Sequence, residues 1–180
     1  MIHLPPILAL TPLLVMIFIA AMVDLRERRI PNWLNLLILL SGLINAIVWA
    51  SPVSIGYALA GVFVGFALLF VQFALGAVGG GDVKMLAAVG AWVGPLATLE
   101  VFIAAAIVGL IIVLSQAVAT GRLQKLFSNS MVLVANFASF QHLGREHVQA
   151  TGQSMRSVDK PLPYAVSVMI ALCVCVAVRW

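Results

Sequence analysis

Two aspartates carry the chemistry that this sequence could perform. Asp24 ends the first apolar run, in Val23-Asp24-Leu25-Arg26-Glu27-Arg28-Arg29-Ile30-Pro31-Asn32, and Asp82 follows three glycines, in Gly79-Gly80-Gly81-Asp82-Val83-Lys84. Around them 63% of the residues are hydrophobic, and only six of 180 are acidic. A carboxylate at the centre of a bilayer-spanning helix costs roughly 2.5–3.5 kcal/mol, so one at membrane depth usually has a function. Two of them, each beside a helix end, suggest a pair that shares one proton and activates water. Each also has a plainer reading. Asp24 alone is an ordinary juxtamembrane charge, with Arg28 four residues on as an ion-pair partner if the helix continues. Asp82 alone is half of a local pair with Lys84 on a flexible turn.

The glycines argue against the plainer reading of Asp82. Each costs ~1 kcal/mol relative to alanine in a helix interior, so three together mark a bend or a close approach of backbone. Broken backbone at membrane depth is tolerated only against protein or a water-filled cavity. Asp82 is thus expected to face a wet pocket. There Gly79, Gly80 and Gly81 would leave room for an extended peptide, and Lys84 would bias the carboxylate or hold the loop. Neither the P-loop nor the dinucleotide fingerprint is present, and the chemistry asks for no metal or organic cofactor.

The elements that must position these residues are membrane helices. Charged residues make up 9% of the chain and the mean hydropathy is +1.15, which a soluble domain of this length could not sustain. About 20 apolar residues span a bilayer. The pattern predicts an all-α polytopic membrane protein with about six transmembrane helices, near 5–23, 33–50, 55–77, 84–97, 99–119 and 162–179. They form one membrane-embedded domain over 1–180. The fourth span is short, and Gly94-Pro95 separates it from the fifth as a tight turn. Gly61-x-x-x-Gly65 and Gly90-x-x-x-Gly94 read as close helix contacts within the monomer. Asn32, after the helix-stopping Pro31, reads as the cap of the second helix, with Trp33 at the membrane interface.

Charge sets the orientation. With the amino terminus outside, the cytoplasmic segments 24–32, 78–84 and 120–161 hold Arg26, Arg28, Arg29, Lys84, Arg122, Lys125, Arg145, Arg156 and Lys160, leaving only Arg179 outside. Both aspartates then lie at the cytoplasmic face. The first apolar run lacks a basic leader and is followed at once by arginines, so it reads as a retained helix and not a signal peptide. The net charge of +4 is accounted for by orientation and anionic lipid, without nucleic acid. The 120–161 loop contains an apolar stretch, Met131 to Phe140, too short to span and read as an interfacial or re-entrant helix.

Other residue groups are less telling. Cys173 and Cys175 lie two apart on one helix and cannot form a C-x-x-C site. His142 and His147 belong to the loop and read as surface, and no nucleophile motif accompanies them. A small proton- or ion-coupled transporter would also use intramembrane carboxylates and broken helices, but no polar path continues into the outer half, where Glu100 stands alone. A membrane scaffold whose acidic residues merely orient helices is the remaining alternative.

Together the motifs say more. Asp-Leu-Arg-Glu-Arg-Arg-Ile-Pro-Asn at 24–32 with Gly-Gly-Gly-Asp-Val-Lys-Met at 79–85 closely resembles the type IV prepilin peptidases, the GxGD class of membrane aspartic proteases. Lys160-Pro161-Leu162-Pro163-Tyr164 is similar to that family's proline-containing stretch near the carboxy terminus. The resemblance implies that Asp24 and Asp82 are the catalytic pair of a leader peptidase acting at the cytoplasmic face of a bacterial inner membrane. Its substrates would be prepilins and pseudopilins with a short basic leader, a small residue before the cut and a hydrophobic helix after it. Longer members carry a cysteine-rich insertion between the first two helices and also N-methylate the product. Here Leu25–Asn32 stands in that place, so the chain resembles the short peptidase-only branch serving Flp/Tad-type pili; whether it methylates its product stays open, and no cluster of Cys or His has the spacing for a structural zinc.

Overall fold

The computed structural model describes residues 7–48, 52–74, 78–121 and 164–179. Among them the chain is all-helical, with no strand. The helices are α1 (Ile7–Glu27), α2 (Asn32–Val48), α3 (Pro52–Ala74), α4 (Gly80–Ala119) and α5 (Tyr164–Arg179). The interfacial helix expected in 120–161, with His142 and His147, falls almost wholly outside the described residues.

Two stretches, Ile55–Ala74 and Gly80–Ala119, are long and apolar enough to cross a membrane. Large apolar side chains stand on the outer surface, among them Phe63 at 71% exposure and Trp33 at 61%. Exposed apolar surface on this scale is suited to lipid and unfavourable in water.

The expected fourth and fifth spans are one helical run. Forty straight residues would extend about 60 Å, twice the hydrocarbon core of a bilayer. The run is broken at the predicted dipeptide: Gly94 takes φ 79° and ψ 176°, and Pro95 opens the second limb. Proline suits that place because a first helical position has no intrahelical partner for its N–H. Thr98, fully buried, returns its hydroxyl to Gly94 O at 2.6 Å.

The first limb of α4 is the centre of the molecule. Every residue from Met85 to Gly94 is buried. A helix apolar on all sides must be surrounded, and its small residues let neighbours approach. A Cβ on Gly65 would lie 2.5 Å from Leu86 O, and one on Gly61 would collide with the Gly90 carbonyl. The paired small-residue motifs therefore join α3 to α4 backbone against backbone. On the α2 side, the Trp92 indole N–H donates to Ile38 O at 2.8 Å, and Gly42 leaves the space that the ring fills. Leu13, Ile17 and Ala20 of α1 close the core together with Ala165, Val168 and Ala171 of α5.

Candidate active site

Asp24 lies inside α1, one turn before its end, near the helix end beside which the sequence places it. Leu25, Arg26 and Glu27 continue the helix. It then stops at Arg28, whose φ is 53° and whose N–H donates to Asp24 O at 2.9 Å. Pro31 bars further helix and biases Ile30 toward extended backbone. The turn directs the chain into α2 within four residues, 28–31.

Asp24 is only 5% exposed. Its Oδ2 accepts the backbone N–H of Ala165 at 3.1 Å, from the first turn of α5. Amides at a helix start have no intrahelical acceptor, and they carry the positive end of the helix dipole. A buried carboxylate is thus held by a segment 141 residues away in the chain.

Asp82 occupies the third position of α4, with Gly79 as the residue before the helix. Its N–H donates to Gly79 O at 3.1 Å, and the Gly79 amide in turn interacts with its carboxylate. This is the acidic half of a capping box. A Cβ at Gly79 would sit 3.3 Å from Asp82 Oδ2, so glycine there leaves the carboxylate its place. Asp82 is half-buried, and its carboxyl is close enough to Asp24 to feel that charge.

Three contacts draw the two acidic motifs together. Lys84 Nζ donates to Asn32 Oδ1 at 2.9 Å, Asn35 Nδ2 donates to Gly81 O at 3.1 Å, and Gly81 lies against Ile30. The first overturns two expectations. Lys84 is tied to the opposite motif and not to Asp82, in keeping with the loop-holding role. Asn32 is the first residue of α2 and does not cap it; Pro31 O accepts the amides of Leu34 and Asn35 instead. Of the glycines, Gly79 is exposed while Gly80 and Gly81 are partly covered, Gly80 by Phe73.

Asn35 is a residue that motif reading missed. It is 3% exposed, and its Oδ1 is buried without a partner. A polar residue buried on an apolar helix is a signal only once the inward face of that helix is known. Among the described residues, no group of three or more His, Cys, Asp or Glu side chains is placed to hold a metal ion.

Among the described residues, an all-helical fold with membrane-length apolar helices and two acidic motifs held together at helix ends defines a class, the helical membrane proteins. Comparison with known families narrows it. The model of the type IV leader peptidase family matches residues 12–114, a stretch that includes both aspartates, Asn35 and Lys84. The chain belongs to that family. A relative from Escherichia coli O78:H11 (strain H10407 / ETEC), named type 4 prepilin-like proteins leader peptide-processing enzyme, is 36% identical over 99 residues. The match takes in 51% of this chain and 37% of that relative, so the chain spans well under half the relative's length. No solved structure matches the chain.

Proposed function

We propose that this protein is a membrane aspartic endopeptidase that removes the leader peptide of type IV prepilins and pseudopilins, of the Flp-like kind. The observation that carries the reading is that the segments holding Asp24 and Asp82, 58 positions apart in sequence, are drawn together by the Lys84–Asn32, Asn35–Gly81 and Gly81–Ile30 contacts. Family membership and the name of the bacterial relative support the substrate class.

In the proposed reaction a water lies between the carboxyls. Two like charges this close do not both ionise readily, so the pair holds one proton and titrates as a unit. The ionised member takes a proton from water as the oxygen attacks the scissile carbonyl. The protonated member donates to the developing oxyanion, and a proton passes to the amine as the C–N bond breaks. The Ala165 amide keeps Asp24 oriented through this cycle. The exposed Gly79 edge beside Asp82 is where an extended substrate backbone would approach.

The proposed topology has six spans, the amino terminus outside and the site at the cytoplasmic face of a bacterial inner membrane. Its support is the distribution of Arg and Lys. The four-residue link 28–31 between α1 and α2 favours a peptidase-only enzyme, since no cysteine-rich insertion stands there.

Co-expression with prepilins encoded near its own gene, followed by intact mass of the products, tests the reading. Wild type should remove the leader without adding a methyl group. Asp24→Asn and Asp82→Asn should each leave the leader intact while the protein remains inserted. Substantial cleavage by either variant removes that aspartate from the reaction.

A further inference from the structure

The mechanism above does not use Tyr164, the first residue of α5. Its ring packs against the buried core, and its hydroxyl is buried with no hydrogen-bond partner. Leaving a buried hydroxyl unpaired is costly, because the group loses water and gains nothing in return. Such an orphan is informative where a ligand could complete it. Two observations locate this one. The adjacent amide, that of Ala165, is the donor to Asp24 Oδ2, and the Asp82 charge acts on the phenol itself. Tyr164 thus begins the helix turn that anchors Asp24, with its hydroxyl buried and unpaired.

We infer that Tyr164 is a further catalytic residue, whose hydroxyl donates a hydrogen bond to the scissile carbonyl oxygen and holds it as the tetrahedral oxyanion forms. The inference rests on the aspartic peptidase reading and adds a second donor to it. The phenol keeps its proton throughout. The transferred protons remain with water, the aspartates and the leaving amine. A neutral donor fixed in a buried position before reaction suits this work, because it needs no reorganisation as charge develops.

Ser167 provides an internal comparison. It lies on the same helix, three residues on, and its Oγ is also buried without a partner. It faces Gly109 in the second limb of α4, where a Cβ would lie 3.7 Å from that oxygen.

The test is steady-state cleavage of a prepilin peptide by wild type, Tyr164→Phe and Ser167→Ala in the same detergent or lipid, with thermal midpoints measured alongside. Tyr164→Phe keeps the ring and breaks no bond within the folded protein, so its midpoint should equal or exceed that of wild type. Its kcat should fall about a hundredfold with KM little changed, the scale on which a single oxyanion donor acts. Ser167→Ala should keep wild-type kcat. Equal kcat for Tyr164→Phe and wild type overturns the inference while leaving the peptidase reading intact. So does a loss of activity matched by a loss of thermal stability, which would mean that the hydroxyl is structural. Absence of wild-type cleavage, with neither aspartate variant differing from it, overturns the peptidase reading and the inference with it.

Discussion

Replacing Gly90 by alanine should damage this protein through a backbone clash that no side-chain rotation can relieve. A Cβ there would run into the Gly61 carbonyl oxygen and lie 2.5 Å from Gly61 C, under the 3.0 Å that real Cβ contacts essentially never pass. Ordinary contact starts at 3.4 Å, so α3 and the first limb of α4 would have to part by about an ångström. Overpacking of a well-filled interior costs roughly 1–3 kcal/mol, and the upper end applies because backbone cannot rotate away as a side chain can. The expected loss is about 3 kcal/mol, a fall of roughly 6–12 °C in thermal midpoint for a chain of this size. The control is Gly56→Ala in α3, where a Cβ would meet nothing within 4 Å. There the change should be neutral or raise stability by up to ~1 kcal/mol through helix propensity. Midpoints followed by intrinsic fluorescence in one detergent, together with prepilin cleavage, would read both variants. Cleavage should fall with Gly90→Ala, since the moved limb carries Asp82 at its start. Equal midpoints for the two variants would refute the backbone-to-backbone packing of these helices.

Two further outcomes follow from the bonds that join the acidic motifs. Asn35→Leu removes the donor to Gly81 O while keeping the side-chain volume; with about 1 kcal/mol at stake, leader cleavage should fall roughly five- to tenfold without loss of the folded protein, and unchanged initial rates would show that Asn35 does not position Asp82. Lys84→Met removes an exposed bond to Asn32 and should change cleavage by less than about threefold, because surface bonds contribute little; a loss as deep as that of Asp82→Asn would place Lys84 in the reaction itself.

How much of this was legible beforehand depended on whether a residue announced itself by type. Asp24 and Asp82 did, because charge is expensive in apolar surroundings and needs a reason. Gly94-Pro95 did, because that dipeptide breaks a helix wherever it stands, and the spaced glycines did because they admit backbone contact. Other features had no such sign. The donor to Asp24 is a backbone amide of Ala165, which any residue but proline could supply. Asn35 reads as one more polar residue until α2 is rotated into place. Asn32 sat in a capping sequence, yet α2 takes it in as its first residue and its side chain serves Lys84. The stop of α1 also had no sign of its own, because the left-handed residue that ends it is Arg28, where glycine is the usual signal.

Asp24 and Asp82 stand on helices that scarcely meet: α1 touches α4 only slightly, and α5 lies against both. The gap between the carboxyls is therefore governed by how α1 and α4 each seat on that third helix. Bilayer thickness and lateral pressure act on the tilt of such helices, so the surrounding lipid would bear on the geometry of the pair.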